Sequence, residues 1–331
     1  MFTPHSLGVA LFMMITSAIC WGSWANTYKG VKNYRFELFY WDYAIGIFLI
    51  SLILGRTMGS VGNQGLSLRD NVHLAATADA VYAMVGGAIF NLANLLLVAA
   101  IDMAGLAIAF PVSIGIALVV GVISSYAQQP KGNATLLAAG VACALIAVVL
   151  DGKAYGTLPR ASHSTSRKSI ITCIVSGILM GLWAPFMARA MPHEVNGQTL
   201  GTLGPYAAAV FLTLGALLSC FIWNIYFMKH PLVGEPVSFS GVFRAPISAH
   251  SLGLVGGFIW GIGMVFNLVA ASFTGVAISY AIGQSAPMVA ALWGVFAWRE
   301  FAGAPGKAKV YLFLMFLFYC FGILLVAKAN G

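Results

Sequence analysis

Two acids and a short set of amides and aromatic rings are the groups whose types and spacing could do chemistry. Glu37 and Asp42 lie in Arg35-Phe-Glu-Leu-Phe-Tyr-Trp-Asp-Tyr43, among five aromatic residues. A carboxylate among rings is poorly hydrated, which brings proton uptake within reach. At membrane depth such a group is a functional candidate by default. The competing reading is an ion pair with Arg35, Lys32 or Lys29, and Arg35 stands closest to Glu37. Asp42 and Glu37 are thus the candidate proton-coupling residues, with pairing explaining Glu37 the more readily.

The amides fall into helical register. Asn91 and Asn94 are three apart on one face, above Ala83 and Gly87 at four-residue steps. Further on, Trp260, Met264 and Asn267 share a face, and Tyr280 and Gln284 stand at i, i+4 before Pro287. The first apolar segment adds Trp21 and Trp24. Amides both donate and accept, and indole and phenol rings stack on flat partners. Together these residues predict a binding pocket for a small, neutral, planar, hydrogen-bonding solute. The bland reading of each amide is interhelical glue, at ~0.6 kcal/mol per bond. That of Trp24 is a membrane-interface belt.

Missing groups narrow the chemistry. Lys and Arg avoid the segment centres, with Arg189 and Arg299 at predicted helix ends, whereas a carrier of phosphate esters would need them in its pocket. The six histidines (His5, His73, His163, His193, His230, His250) all fall in loops or at helix ends, which argues against a histidine proton shuttle or metal site. Asp79, Asp102 and Asp151 also fall at helix ends, where a charge is expected to stay solvated. The five cysteines lie inside apolar segments without metal-site spacing and suit small packing residues. An intramembrane enzyme would need a metal cluster or a nucleophile with its base, so no enzymatic activity, metal or cofactor is expected.

The elements that must position these groups are membrane helices. The chain is 60% hydrophobic and 8% charged, against about 25% charged in soluble domains. Ten stretches can cross ~30 Å of hydrocarbon: Leu7–Thr27, Leu38–Leu54, Val81–Ile101, Gly105–Ala127, Ala134–Leu150, Ser169–Ala188, Tyr206–Met228, Leu252–Ala271, Gly275–Trp298 and Val310–Ala327. The first lacks a basic leader and a small-residue cleavage site, so it is expected to be a retained helix.

A repeat organises them. Val85–Ala127 aligns without a gap on Val255–Ala297: both begin Val-Gly-Gly and both reach a hairpin glycine at the same step, Gly105 and Gly275. A weaker echo joins the stretch from Ser17 to Ala25 with that from Ser176 to Ala184. The expected fold is an all-α polytopic membrane protein, ten transmembrane helices in a 5+5 inverted repeat. Residues 1–150 form the first repeat, 151–168 a short cytoplasmic connector and 169–331 the second repeat. The net charge of +8 is spread over loops and reads as topology rather than nucleic-acid binding. Twelve Lys/Arg lie on the side holding the connector and five on the other. The positive-inside rule puts both termini outside, in a plasma membrane that would be the bacterial inner membrane.

Cys20-Trp-Gly-Ser-Trp-Ala-Asn26, followed by Arg35-Phe-Glu-Leu-Phe-Tyr-Trp-Asp-Tyr-Ala-Ile-Gly46, resembles the ureide permease family of the drug/metabolite transporter superfamily. Asn91-Leu-Ala-Asn94 and Ala109-Phe-Pro111 resemble it too. The resemblance implies secondary, generally proton-linked transport of ureides and related heterocycles such as allantoin and uracil. It puts Trp21, Trp24, Asn26, Glu37 and Asp42 in signature positions. Plant members carry a long central loop with a nucleotide-binding-like motif. The connector here is short and has no G-x-x-x-x-G-K-[ST], which puts any ATP link in doubt and suits a bacterial form. The expected function is a secondary carrier of a small neutral heterocycle, proton-coupled and working by alternating access, with lipid as its surroundings. A sugar or nucleoside porter and a multidrug exporter are the alternatives.

Overall fold

The computed structural model describes residues 1–32, 34–62, 64–158, 166–195 and 197–330. Ten helices long and apolar enough to cross a membrane run through it. They are α1 Leu7–Lys29, α2 Phe36–Arg56, α3 Thr77–Ala104, α4 Ala107–Gln128, α5 Ala134–Tyr155, α6 Arg167–Ala190, α7 Pro205–Lys229, α8 Ile247–Thr274, α9 Val276–Ala297 and α10 Gly306–Lys328. The ten expected crossings are therefore present, several reaching four or five residues beyond the apolar stretch. The added turns carry polar residues such as Asp79, His250 and Lys307, so hydropathy does not mark them as part of the span. A small antiparallel hairpin, β1 His193–Val195 and β2 Gln198–Leu200, links α6 to α7.

The connector differs from expectation. Asp151 to Tyr155 continue α5, because Gly152 lets that helix lie directly against Pro111 and the Ala107 carbonyl of α4. The link to α6 is correspondingly shorter, and residues 159–165, including His163, lie outside the described residues.

Packing is mostly between the halves of the chain. α3 and α4 lean on α6, and α8 and α9 lean on α1. α2 crosses α8, α7 crosses α3, and α5 pairs with α10. Small residues permit these approaches. Gly253, Gly257 and Gly261 form the expected packing ladder: a Cβ on them would meet Asp42, the Tyr43 carbonyl and Ile50 of α2. The hairpin glycines Gly105 and Gly275 have φ of 75° and 89°, a region disfavoured for residues with a Cβ. α10 keeps a broad apolar face outward, with Phe313, Leu317 and Leu324 more than half exposed, as lipid contact requires.

Candidate functional site

A cavity of about 340 Å³ lies between the halves. Aromatic rings form much of its lining, beside aliphatic residues such as Leu97, Ile114 and Met180. Trp21 of α1 stacks on Trp260 of α8 at 5.8 Å and 19°, and Trp260 stacks in turn on Phe90 of α3 at 4.4 Å. Trp183 of α6 meets Trp21 edge-on at 6.2 Å. Trp24 packs on Tyr43 at 4.5 Å. α1, α3, α6 and α8 thus contribute rings to one aromatic cluster that borders this space.

The regular helical pattern is interrupted where helices border this space. α1 is divided at Trp24 into Leu7–Ser23 and Ala25–Lys29 segments, although Trp24 itself keeps helical dihedrals. α9 is interrupted at Gln284-Ser285, between Val276–Gly283 and Ala286–Leu292, and Pro287 has no N–H to carry the helix across. α4 contains a π-turn at Phe110–Ile114 around Pro111. Irregular backbone at membrane depth is tolerated where it lines a cavity.

Trp21, Trp24, Asn26, Asn94, Trp260 and Gln284 line the cavity. Gln284, at the break in α9, has a buried side chain that bonds to no described residue. Asn94 gives only a long bond to the Tyr40 hydroxyl, at 3.4 Å. Asn26 is engaged, accepting a bond from Trp298 Nε1 at 2.6 Å.

Asn91, Asn267 and Tyr280 do not line it. Asn91 follows Ala83 and Gly87 onto the face against α7 and donates to Ser219 Oγ at 2.7 Å and the Ala216 carbonyl at 3.1 Å. Asn94, three residues on, is rotated off that face and reaches the cavity. Asn267 donates to the Ser279 carbonyl at 2.9 Å and Ser279 Oγ donates back to the Asn267 carbonyl at 2.6 Å, stapling α8 to α9. The Tyr280 hydroxyl lies between the Ala117 and Met180 carbonyls and ties α9 to α4 and α6.

Phe90, Ile114 and Met180 also line the cavity. Sequence offers no way to pick them, since an apolar residue on a membrane helix carries no mark of which neighbour it faces. Trp183 has one signal, its place in the repeat opposite Trp24. Lys29, Asp102 and Tyr155 line the cavity at helix ends, so it runs from the mid-bundle rings toward the end of the molecule that bears Lys29. There α1 is joined to α9 and the turn after it. Lys29 pairs with Glu300 at 2.7 Å, Trp293 Nε1 donates to Ser23 Oγ at 2.8 Å, and Asn26 holds Trp298. At the opposite end, loops close over the bundle: the N-terminal ammonium bonds to the Gln64 carbonyl at 2.7 Å, and Thr202 Oγ1 bonds to Asp79 at 2.7 Å.

The two candidate acids have different company. Glu37 receives two bonds from Arg35, at 2.5 and 3.1 Å, the ion pair that their spacing suggests. Asp42 lies beside none of the three cations considered for it. Its Oδ2 is 2.8 Å from His250 Nδ1, in the first turn of α8, and Tyr34 OH approaches at 3.5 Å. His250 is at a helix end, as the sequence suggests, yet Gly253 one turn on lets α8 close on Asp42, which brings a histidine beside the acid. Burial and the adjacent Asp42 carboxylate push the Tyr34 phenol above the usual range, so it stays a donor. Asp79 and Asp151 also depart from expectation, being 5% and 1% exposed.

Comparison with known proteins accords with this architecture. The family model described as "Ureide permease" matches residues 39–170 and 159–328. Ureide permease 1 of Arabidopsis thaliana is 22% identical over 388 residues, covering 100% of this chain and 99% of that protein. Ureide permease 2 of the same plant is also 22% identical, over 100% and 99%. Transmembrane protein 144 homolog B of Dictyostelium discoideum is 27% identical over 49% of this chain and 40% of its own length. A crystal structure of another protein, 17% identical, shares the fold, with a TM-score of 0.64 over 98% of this chain and 100% of that one. Matched by the family model through both halves, this multi-pass membrane protein belongs to the ureide permease family.

Proposed function

We propose that the protein is a proton-coupled secondary carrier of a small, neutral, planar ureide or nucleobase-like solute, bound in the aromatic cavity. The observation that carries this reading is the cavity's lining. Stacked rings converge with two lightly engaged amides, Asn94 and Gln284, while charged groups stand only at the mouth. Stacking suits a flat ring or planar ureide, and amides match its alternating donors and acceptors. Relatives named ureide permeases support the solute class.

The reading includes a 5+5 inverted repeat. It is supported by the paired packing, α3 on α6 with α8 on α1, and α2 on α8 with α7 on α3. Two such halves can rock about a central site. With the charge bias setting topology, the cavity faces the cytoplasm, the inward-facing arm of alternating access. A cysteine replacing the exposed Ser238, in a cysteine-free background, is then expected to resist an impermeant thiol reagent in intact cells and to react once they are opened. Labelling from outside would invert the topology.

Asp42 with His250 is the proposed proton site. α8 carries His250 and, ten residues or ~15 Å further on, Trp260 in the cavity. A change of charge at one can therefore bias a helix that shapes the other.

A thermal-shift panel tests the solute class, since a ligand stabilises the state it binds. Allantoin or uracil is expected to raise the melting temperature, and free pentoses are not; stabilisation by pentoses alone would favour a sugar porter. Gln284→Ala and Asn94→Ala should each weaken that binding about tenfold, the loss of ~1.4 kcal/mol, with melting nearly unchanged. Asn91→Ala should do the reverse and lower stability, because its bonds are to α7. Unchanged affinity in both cavity variants would remove the two amides from the site.

A further inference from the structure

Asp151 is the least accounted-for acid in the molecule. It lies in α5, 1% exposed, and neither carboxylate oxygen has a hydrogen-bond partner among the described residues. The Tyr319 hydroxyl of α10 is also buried and without a partner among them. Asp151 lies close enough to Tyr319 and Tyr155 to act electrostatically on both. The elements packed around it offer no neutralising cation among the described residues. α10 contributes Tyr319, and the part of α4 against the neighbouring Gly152 contributes Ala107 and Pro111. On α5 itself, Lys153 is exposed, while Tyr155 donates to Glu300 at 3.3 Å, a carboxylate already paired with Lys29.

An ionised carboxylate sealed from water with no donor costs several kcal/mol. A metal ion would need more oxygens than one carboxylate and a phenol supply. From this geometry we propose that Asp151 is a second proton-binding site, distinct from Asp42 and outside the cavity, between α5 and α10. The proton converts the carboxylate to a neutral acid, and no other bond is made or broken. The site adjoins the cavity mouth through Tyr155, whose hydroxyl holds Glu300 of the α1–α9 bridge. A charge arriving on Asp151 would face Glu300 across Tyr155, two like charges at one latch. The inference rests on burial and packing alone and holds whatever solute is carried.

Infrared difference spectroscopy of the purified full-length protein, titrated from neutral to alkaline pH, tests it. The wild type is expected to show a protonated-carboxyl band at neutral pH that Asp151→Asn removes and Asp42→Asn leaves in place. A band of equal intensity in wild type and Asp151→Asn, or no such band in the wild type, overturns the proposal. Should Asp151→Asn fail to fold, the same band is sought in the Asp42→Asn protein carrying carboxyl-labelled aspartate. There Asp70 and Asp102 are exposed, and Asp79 accepts a bond from Thr202 and has the Arg189 guanidinium at 3.9 Å. An isotope-shifted band then upholds the site and its absence overturns it. Failure of Asp42 as coupling residue would leave these outcomes untouched, so the two readings fall separately.

Discussion

Asp42→Asn is expected to abolish proton-driven accumulation while leaving binding and solute exchange in place. The wild-type carboxylate sits 2.8 Å from His250 Nδ1 and is screened by Tyr34. Moving a proton on or off this pair changes its charge inside a poorly hydrated junction between α2 and α8. Asparagine keeps the shape and an acceptor oxygen but cannot change charge. Exchange of internal for external solute needs only the loaded cavity to reorient, so it should survive. Proteoliposomes loaded with labelled allantoin or uracil make the comparison. A pH gradient should concentrate solute in wild type and give no more than equilibration in the variant, with counterflow retained in both. Continued accumulation by Asp42→Asn would make the Asp42–His250 pair structural and return Glu37 to consideration, despite its bonds to Arg35.

Gly87→Val should be the most damaging single change to the fold. A Cβ at Gly87 would overlap the Leu212 carbonyl and press on the Ala216 amide, both backbone atoms of α7. Neither can rotate away as a side chain would, so α3 and α7 must separate. Overpacking costs about 1–3 kcal/mol, occasionally more, and separation here would also strain the Asn91 bonds to Ser219 and Ala216 one turn along. The variant is expected to melt at least several degrees below wild type, or to fail to accumulate in the membrane. Gly306→Ala is the matched control, since no atom lies within 4 Å of the added carbon. Equal melting of Gly87→Val and Gly306→Ala would mean the α3–α7 crossing is far looser than its geometry implies.

Much of the architecture is legible in the amino-acid sequence. Ten crossings follow from apolar runs, because hydrocarbon leaves the backbone no alternative to satisfying its own hydrogen bonds. Gly105 and Gly275 mark the sharp turns, and Gly253, Gly257 and Gly261 mark a close helix crossing, since absence of a side chain is visible in sequence. The ion pair of Arg35 with Glu37 is local and can be read from their spacing.

Rotation and distance are decided only in the tertiary structure. Asn91 and Asn94 share a face by periodicity, yet the approach of α7 at Gly87 claims one for packing and leaves the other to the cavity. Asn267 and Tyr280 are as fit for a solute by residue type, but neighbouring carbonyls take up their hydrogen-bonding groups. His250 is 208 residues from Asp42 in sequence. Asp151 stands at the end of an apolar run, where solvent is expected, yet α4 and α10 enclose it. The physical reason is the same in each case. Polarity and spacing determine which groups are available within a helix, while contacts between distant helices decide which of them are already satisfied.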